Sequence, residues 1–134
     1  MSLDLEVKKT GDSLRIGYGG YLHMRVEILN TIQFGLGDKF KKESFSGQKF
    51  YSNEVFNAIK KLKLNNFIFH SDCDGYLTYR DVKKILGVLE NYDFSNTEWS
   101  KTINSFINLL KIARDNKSYI NYYWRRSKIW KTLL

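Results

Sequence analysis

The sequence predicts a compact α+β domain of about four helices with a small antiparallel sheet. Three observations lead there: apolar alternation on both sides of Thr10-Gly11-Asp12, four stretches with apolar residues at helical spacing, and an alternating aromatic run, SYINYYW, near the carboxyl end. With 134 residues, 43% hydrophobic content, no proline, nine Tyr, nine Phe and three Trp, the chain can bury enough area for one core and little more. A single domain is expected over 1–124, followed by a basic amphipathic tail over 125–134.

Leu5 and Val7, then Leu14 and Ile16, alternate around the Thr10-Gly11-Asp12 turn, as expected of a hairpin. From Tyr21, the sets Leu22, Val26, Leu29 and Met24, Ile28, Ile32 both recur at helical intervals, giving a largely buried helix that ends near Gly35 and Gly37. GDKFKKESFSGQKFYS has no clean period and reads as an irregular connection whose Phe40, Phe45 and Phe50 dock on the core.

Ser52 is placed to cap a helix with Val55, Phe56, Ile59 and Leu62 on one face and Lys60, Lys61 and Lys63 mostly on the other. Val82, Ile85, Leu86 and Leu89 make a second such stripe, and Trp99, Ile103, Phe106, Leu110 and Ala113 a third, with NYDFSN between them. Ile120, Tyr122 and Trp124 then alternate with Tyr119, Asn121 and Tyr123 in a strand suited to pair with the hairpin.

The most specific segment is His70-Ser-Asp-Cys-Asp-Gly-Tyr-Leu-Thr-Tyr-Arg-Asp81. With Gly75 at the sharp-turn position of an EF-hand loop, Asp72 and Asp74 fall at positions 3 and 5, the Tyr76 carbonyl at 7, Thr78 at 9 and Asp81 at 12. These residues form the candidate set for weak calcium binding. Against it, His70 stands where a hard cation prefers a carboxylate, and Asp81 is one methylene shorter than the usual chelating glutamate. The same letters also spell a folding element: Thr78 as a helix cap, Asp81 completing a capping box, and Gly75 supplying a positive backbone angle. That reading needs no ion, and it is the preferred one.

Zinc would need four nitrogen or sulfur ligands, and only His23 is left to join His70 and Cys73. No cofactor is expected. GYGG at 17–20 lacks the lysine of a P-loop and the spacing of a dinucleotide fingerprint, so close packing at a strand-to-helix turn explains it.

The net charge of +8 is unevenly distributed. Residues 72–98 hold six acids against three bases, while 116–134 hold five bases and no acid. Arg125, Arg126, Lys128 and Lys131, with Trp124 beside them, are therefore a candidate nucleic-acid surface, cations meeting phosphates and rings stacking on bases. The lone Cys73, the amino-terminal MSLDLEVKKTG and the lack of a long apolar run lead to the expectation of a cytoplasmic protein without a transmembrane segment.

HSDCDG, together with GYGGYLHMRVEIL and FINLLKIARDNKSYINYY, resembles a family of small uncharacterised bacterial and phage proteins marked by a central HSDCDG motif, over roughly residues 16–123 with gaps. The resemblance makes His70 a regular member of its motif and implies a prophage-like origin; it brings no assigned activity. Tyr76 stands where that family usually has an acid. The function expected is a non-catalytic interaction protein, with the loop as a structural turn and His70, Asp72 and Asp74 as the surface offered to a protein partner. The partner's identity and the oligomeric state are left open.

Overall fold

The computed structural model describes residues 2–17, 19–71 and 74–125. Two amino-terminal strands, β1 (Ser2–Val7) and β2 (Ser13–Gly17), form the expected hairpin, with Leu3 opposite Ile16 and Leu5 opposite Leu14. The carboxyl strand β4 (Ile120–Arg125) pairs antiparallel with the other edge of β1, setting Leu5 against Tyr122 and Ser2 against Arg125. A two-residue strand, β3 (Tyr76–Leu77), adds to β4, giving the order β2-β1-β4-β3. Leu3, Leu5, Val7, Ile16, Ile120 and Tyr122 turn from this sheet into the core.

The α+β class is as expected, but the described residues hold six helices rather than about four: α1 (Gly20–Ile32), α2 (Leu36–Ser44), α3 (Asn53–Lys61), α4 (Asn65–Ile68), α5 (Tyr79–Leu89) and α6 (Ser100–Asp115). The additional ones are α2 and the single turn α4. The segment read as an irregular connection is thus helical over α2. Only Leu36 and Phe40 mark its apolar side, one turn apart, too few to show a period. What stabilises it is tertiary: Gly37 packs against α1 so closely that a Cβ would lie 2.0 Å from the Val26 carbonyl oxygen. Asn30 of α1 accepts a hydrogen bond from the Asp38 N–H, supplying the cap that α2 lacks locally.

Of the three phenylalanines expected to dock here, only Phe40 does so. Phe45 and Phe50 are largely exposed. The other helices follow their patterns. Ser52 accepts from the Val55 N–H at the start of α3, and Val55 and Ile59 are buried while Phe56 is partly exposed. Val82, Ile85, Leu86 and Leu89 of α5 are all buried, as are Ile103, Phe106, Leu110 and Ala113 of α6. Among the described residues no helix is long and apolar enough to cross a membrane.

Candidate functional site

Gly75, at φ +89°, makes the sharp turn anticipated at the centre of the loop. Its carbonyl accepts a 2.8 Å hydrogen bond from the Tyr122 N–H, so the loop is joined directly to β4. Thr78 and Asp81 form the expected capping box. The Thr78 hydroxyl oxygen accepts from the Asp81 N–H at 3.0 Å, and Asp81 Oδ2 accepts from the Thr78 N–H at 3.2 Å. Asp81 Oδ1 accepts from the Asn66 amide at 2.9 Å, tying α5 to α4.

His70 lies inside this frame, half-buried, and its ring bridges two carbonyls. Nδ1 is 2.7 Å from the Ser71 carbonyl oxygen and Nε2 is 3.1 Å from that of Tyr76. A neutral ring donates to one of these at a time and an imidazolium to both. The ring covers Gly75, where a Cβ would meet Cε1 at 3.3 Å, and rests on the Tyr122 phenol with centroids 4.2 Å apart. His70 therefore points inward.

These contacts bear on the calcium reading. The Tyr76 carbonyl faces the His70 ring and each Asp81 oxygen already accepts a hydrogen bond, so an ion bound in the EF-hand manner would compete with these contacts for the same oxygens. Among the described residues, no three His, Cys, Asp or Glu side chains are disposed to hold a metal. Asp72 and Cys73 lie outside the described residues. Asp74 is exposed and accepts from the Ser71 hydroxyl at 2.9 Å. Tyr76 projects its ring outward, edge-on to Tyr119 at 5.4 Å.

Behind the loop is a polar cluster that sequence patterns did not show. The buried Tyr122 hydroxyl lies 2.7 Å from that of Tyr21, and burial, reinforced by Tyr21, pushes the Tyr122 phenol well above its ordinary range. Arg25 is also buried. It donates to the Ile68 carbonyl at 2.5 Å and the Tyr21 carbonyl at 3.3 Å, and its guanidinium lies over the Tyr21 ring, 4.4 Å from the centroid. The signal available was a lone arginine amid Met24 and Val26 on a helix otherwise apolar at those positions.

A second surface converges at the GYGG turn. Gly20 packs tightly, a Cβ there meeting Ile16 Cγ2 at 2.8 Å, in line with the close-packing reading of this motif. Beside it opens a cleft of about 600 Å³ walled by Trp99, Trp124, His23 and Phe45. His23 stacks nearly parallel on Trp99, centroids 5.6 Å apart. Trp124 is thus placed; the Arg125 side chain, Arg126, Lys128 and Lys131 lie outside the described residues. Comparison of the chain with family models, curated proteins and solved structures finds no match.

Proposed function

We propose that this protein is a non-catalytic, cytoplasmic interaction protein whose HSDCDG loop is a self-supporting turn that presents its outer, acidic rim to a protein partner. The observation that supports this reading most is the inward lock of His70 on the Ser71 and Tyr76 carbonyls and on Tyr122. Where the described residues 70–71 and 74–78 are braced in this way, a partner loses less free energy in fixing them. Asp74 then stands exposed at the tip, and Asp72 belongs to the same segment. An acidic tip is complementary to a basic patch on the partner.

The experiment is photo-crosslinking from position 76 in cells, comparing wild type with Asp72→Ala/Asp74→Ala and with Asp93→Ala, an exposed acid at a different turn. Loss of crosslinked partners in the double variant alone is the expected result. The same partners in all three would sink the reading.

A second reading, binding of single-stranded nucleic acid, is favoured by one observation: Trp124 shares an aromatic cleft with Trp99, His23 and Phe45 at the root of the basic segment. Indole walls offer stacking to bases of any sequence. Quenching of tryptophan fluorescence by an oligonucleotide at low salt, relieved as salt rises, is expected on this reading. No quenching at low salt would eliminate it.

A further inference from the structure

Next to the first turn of α5 lies a cleft of about 430 Å³ that neither reading uses. Lys60 and Lys63 at the end of α3, Asn65 and Asn66 of α4, and Lys84 of α5 line it, together with Asp81 and the apolar Ile85. The volume is that of a small-molecule site. All three lysines are exposed, and among the described residues none has a carboxylate within ion-pair distance. The one acid present does not neutralise them by contact, because both Asp81 oxygens serve the capping box and Asn66.

Lys63 adds a separate observation. Helix α3 closes with the Lys63 N–H on the Lys60 carbonyl and the Leu64 N–H on that of Ile59, which sets Lys63 at φ +64°. Glycine takes that conformation without strain, and lysine does not. The lysine here gives up backbone comfort and places a cation on the wall of the cleft. Three lysines lining one space give it a positive potential that an anion of multiple charge complements best.

We propose that this cleft binds a small phosphate monoester, its phosphoryl oxygens held by the Lys60, Lys63 and Lys84 ammonium groups and by amide donors of Asn65 and Asn66. Lysine serves phosphate as a point charge, and a phosphate dianion matches several cations better than a carboxylate does. The residues involved are distinct from the acidic loop tip, so this site stands or falls independently of the proposed interface.

The test uses the intact chain, titrated with inorganic phosphate, glycerol phosphate or a nucleoside monophosphate at constant ionic strength set by chloride, and followed by melting temperature and amide chemical shifts. A saturable rise in melting temperature is expected, with shifts centred on residues 60–66 and 84; the order of affinity among the three ligands identifies the source of the phosphate. Lys63→Gly is expected to leave the unliganded stability unchanged or higher while weakening binding about fivefold, the weight of one ion pair. Lys117 provides the control, since it ends α6 at φ +51° outside the cleft. Lys117→Gly relieves the same backbone strain and should leave binding unchanged. Absence of a saturable response to any of the three ligands, undiminished binding by Lys63→Gly, or equal weakening by Lys117→Gly would each overturn the proposal.

Discussion

The imidazole of His70 lies against the phenol of Tyr122, ring centroids 4.2 Å apart and planes inclined by 40°. The contact joins the loop to the central part of the sheet, and the Tyr122 N–H to Gly75 hydrogen bond reinforces it from the backbone. A residue that resembles a misplaced calcium ligand in the sequence is thus the internal brace of the turn.

Replacing His70 by Ala removes the ring contact and the hydrogen bond that the neutral ring donates to one of its two flanking carbonyls, and should lower unfolding free energy by about 1–3 kcal/mol in denaturant titrations. His70→Asp restores a carboxylate at the first loop position and should be destabilised similarly without metal. Millimolar calcium is expected to recover part of that loss in the Asp variant and to leave the wild-type melting temperature unmoved. A calcium-dependent rise in the wild type would show that the folded protein binds the ion with His70 in place and would overturn the ion-free reading.

Tyr122 links the same site to alkaline pH. Its folded pKa is raised by burial and by Tyr21, so the unfolded chain releases this proton first, near the ordinary tyrosine value of about 10. The unfolded state then binds fewer protons than the folded one, and stability falls as pH rises beyond that point. Tyr122→Phe lacks this titration but loses the Tyr21 hydrogen bond, worth about 1 kcal/mol. The wild type should be the more stable of the two at neutral pH, with the difference shrinking above pH about 10. A gap that stays constant to higher pH would show that Tyr122 ionises within the fold.

How much of this was legible in the sequence depended on where each element's stability originates. Helix α5 announced itself because four buried apolar residues repeat over its length and Thr78 and Asp81 signal its start locally. Helix α2 did not, since Leu36 and Phe40 make a stripe of two and its remaining support, the close fit of Gly37 against Val26 and the Asn30 cap, depends on contact with α1. Strand β3 exists only through pairing of Tyr76 and Leu77 with Asn121 and Ile120. In the loop, the capping box was readable from the spacing of Thr78 and Asp81. The inward direction of His70 was not, because Tyr122 approaches from a distant strand. Trp99, Trp124 and Phe45 likewise meet from three separate segments.

Arg25 offers a test of the cluster behind the loop. Its guanidinium satisfies the Ile68 carbonyl where α4 leads into the loop, while its flat faces cover Tyr21 and, at 5.5 Å, Phe40. Lysine carries the charge but neither the planar fork nor the stacking surface. Arg25→Lys is therefore expected to cost about 1–2 kcal/mol and Arg25→Ala about 2–4 kcal/mol, read from urea midpoints. Amide exchange should quicken at residues 67–71 in both. Exchange confined to α1 would show that Arg25 does not brace the loop.

The crossing of α1 and α2 predicts the sharpest stability effect. At Gly37 an added Cβ would lie 2.0 Å from the Val26 carbonyl oxygen and 2.7 Å from Asn30 Oδ1. The first contact is with backbone, which cannot rotate aside, so Gly37→Ala must separate the helices and strain the Asn30 cap on Asp38. A loss of about 2–3 kcal/mol is expected despite the better helix propensity of alanine. Gly87, on α5, has nothing within 4 Å of its would-be Cβ, and Gly87→Ala should instead stabilise by up to about 1 kcal/mol. Measured side by side in denaturant, the two substitutions should shift the midpoint in opposite directions. A midpoint for Gly37→Ala that stays or rises would mean that α2 does not pack on α1 through Gly37.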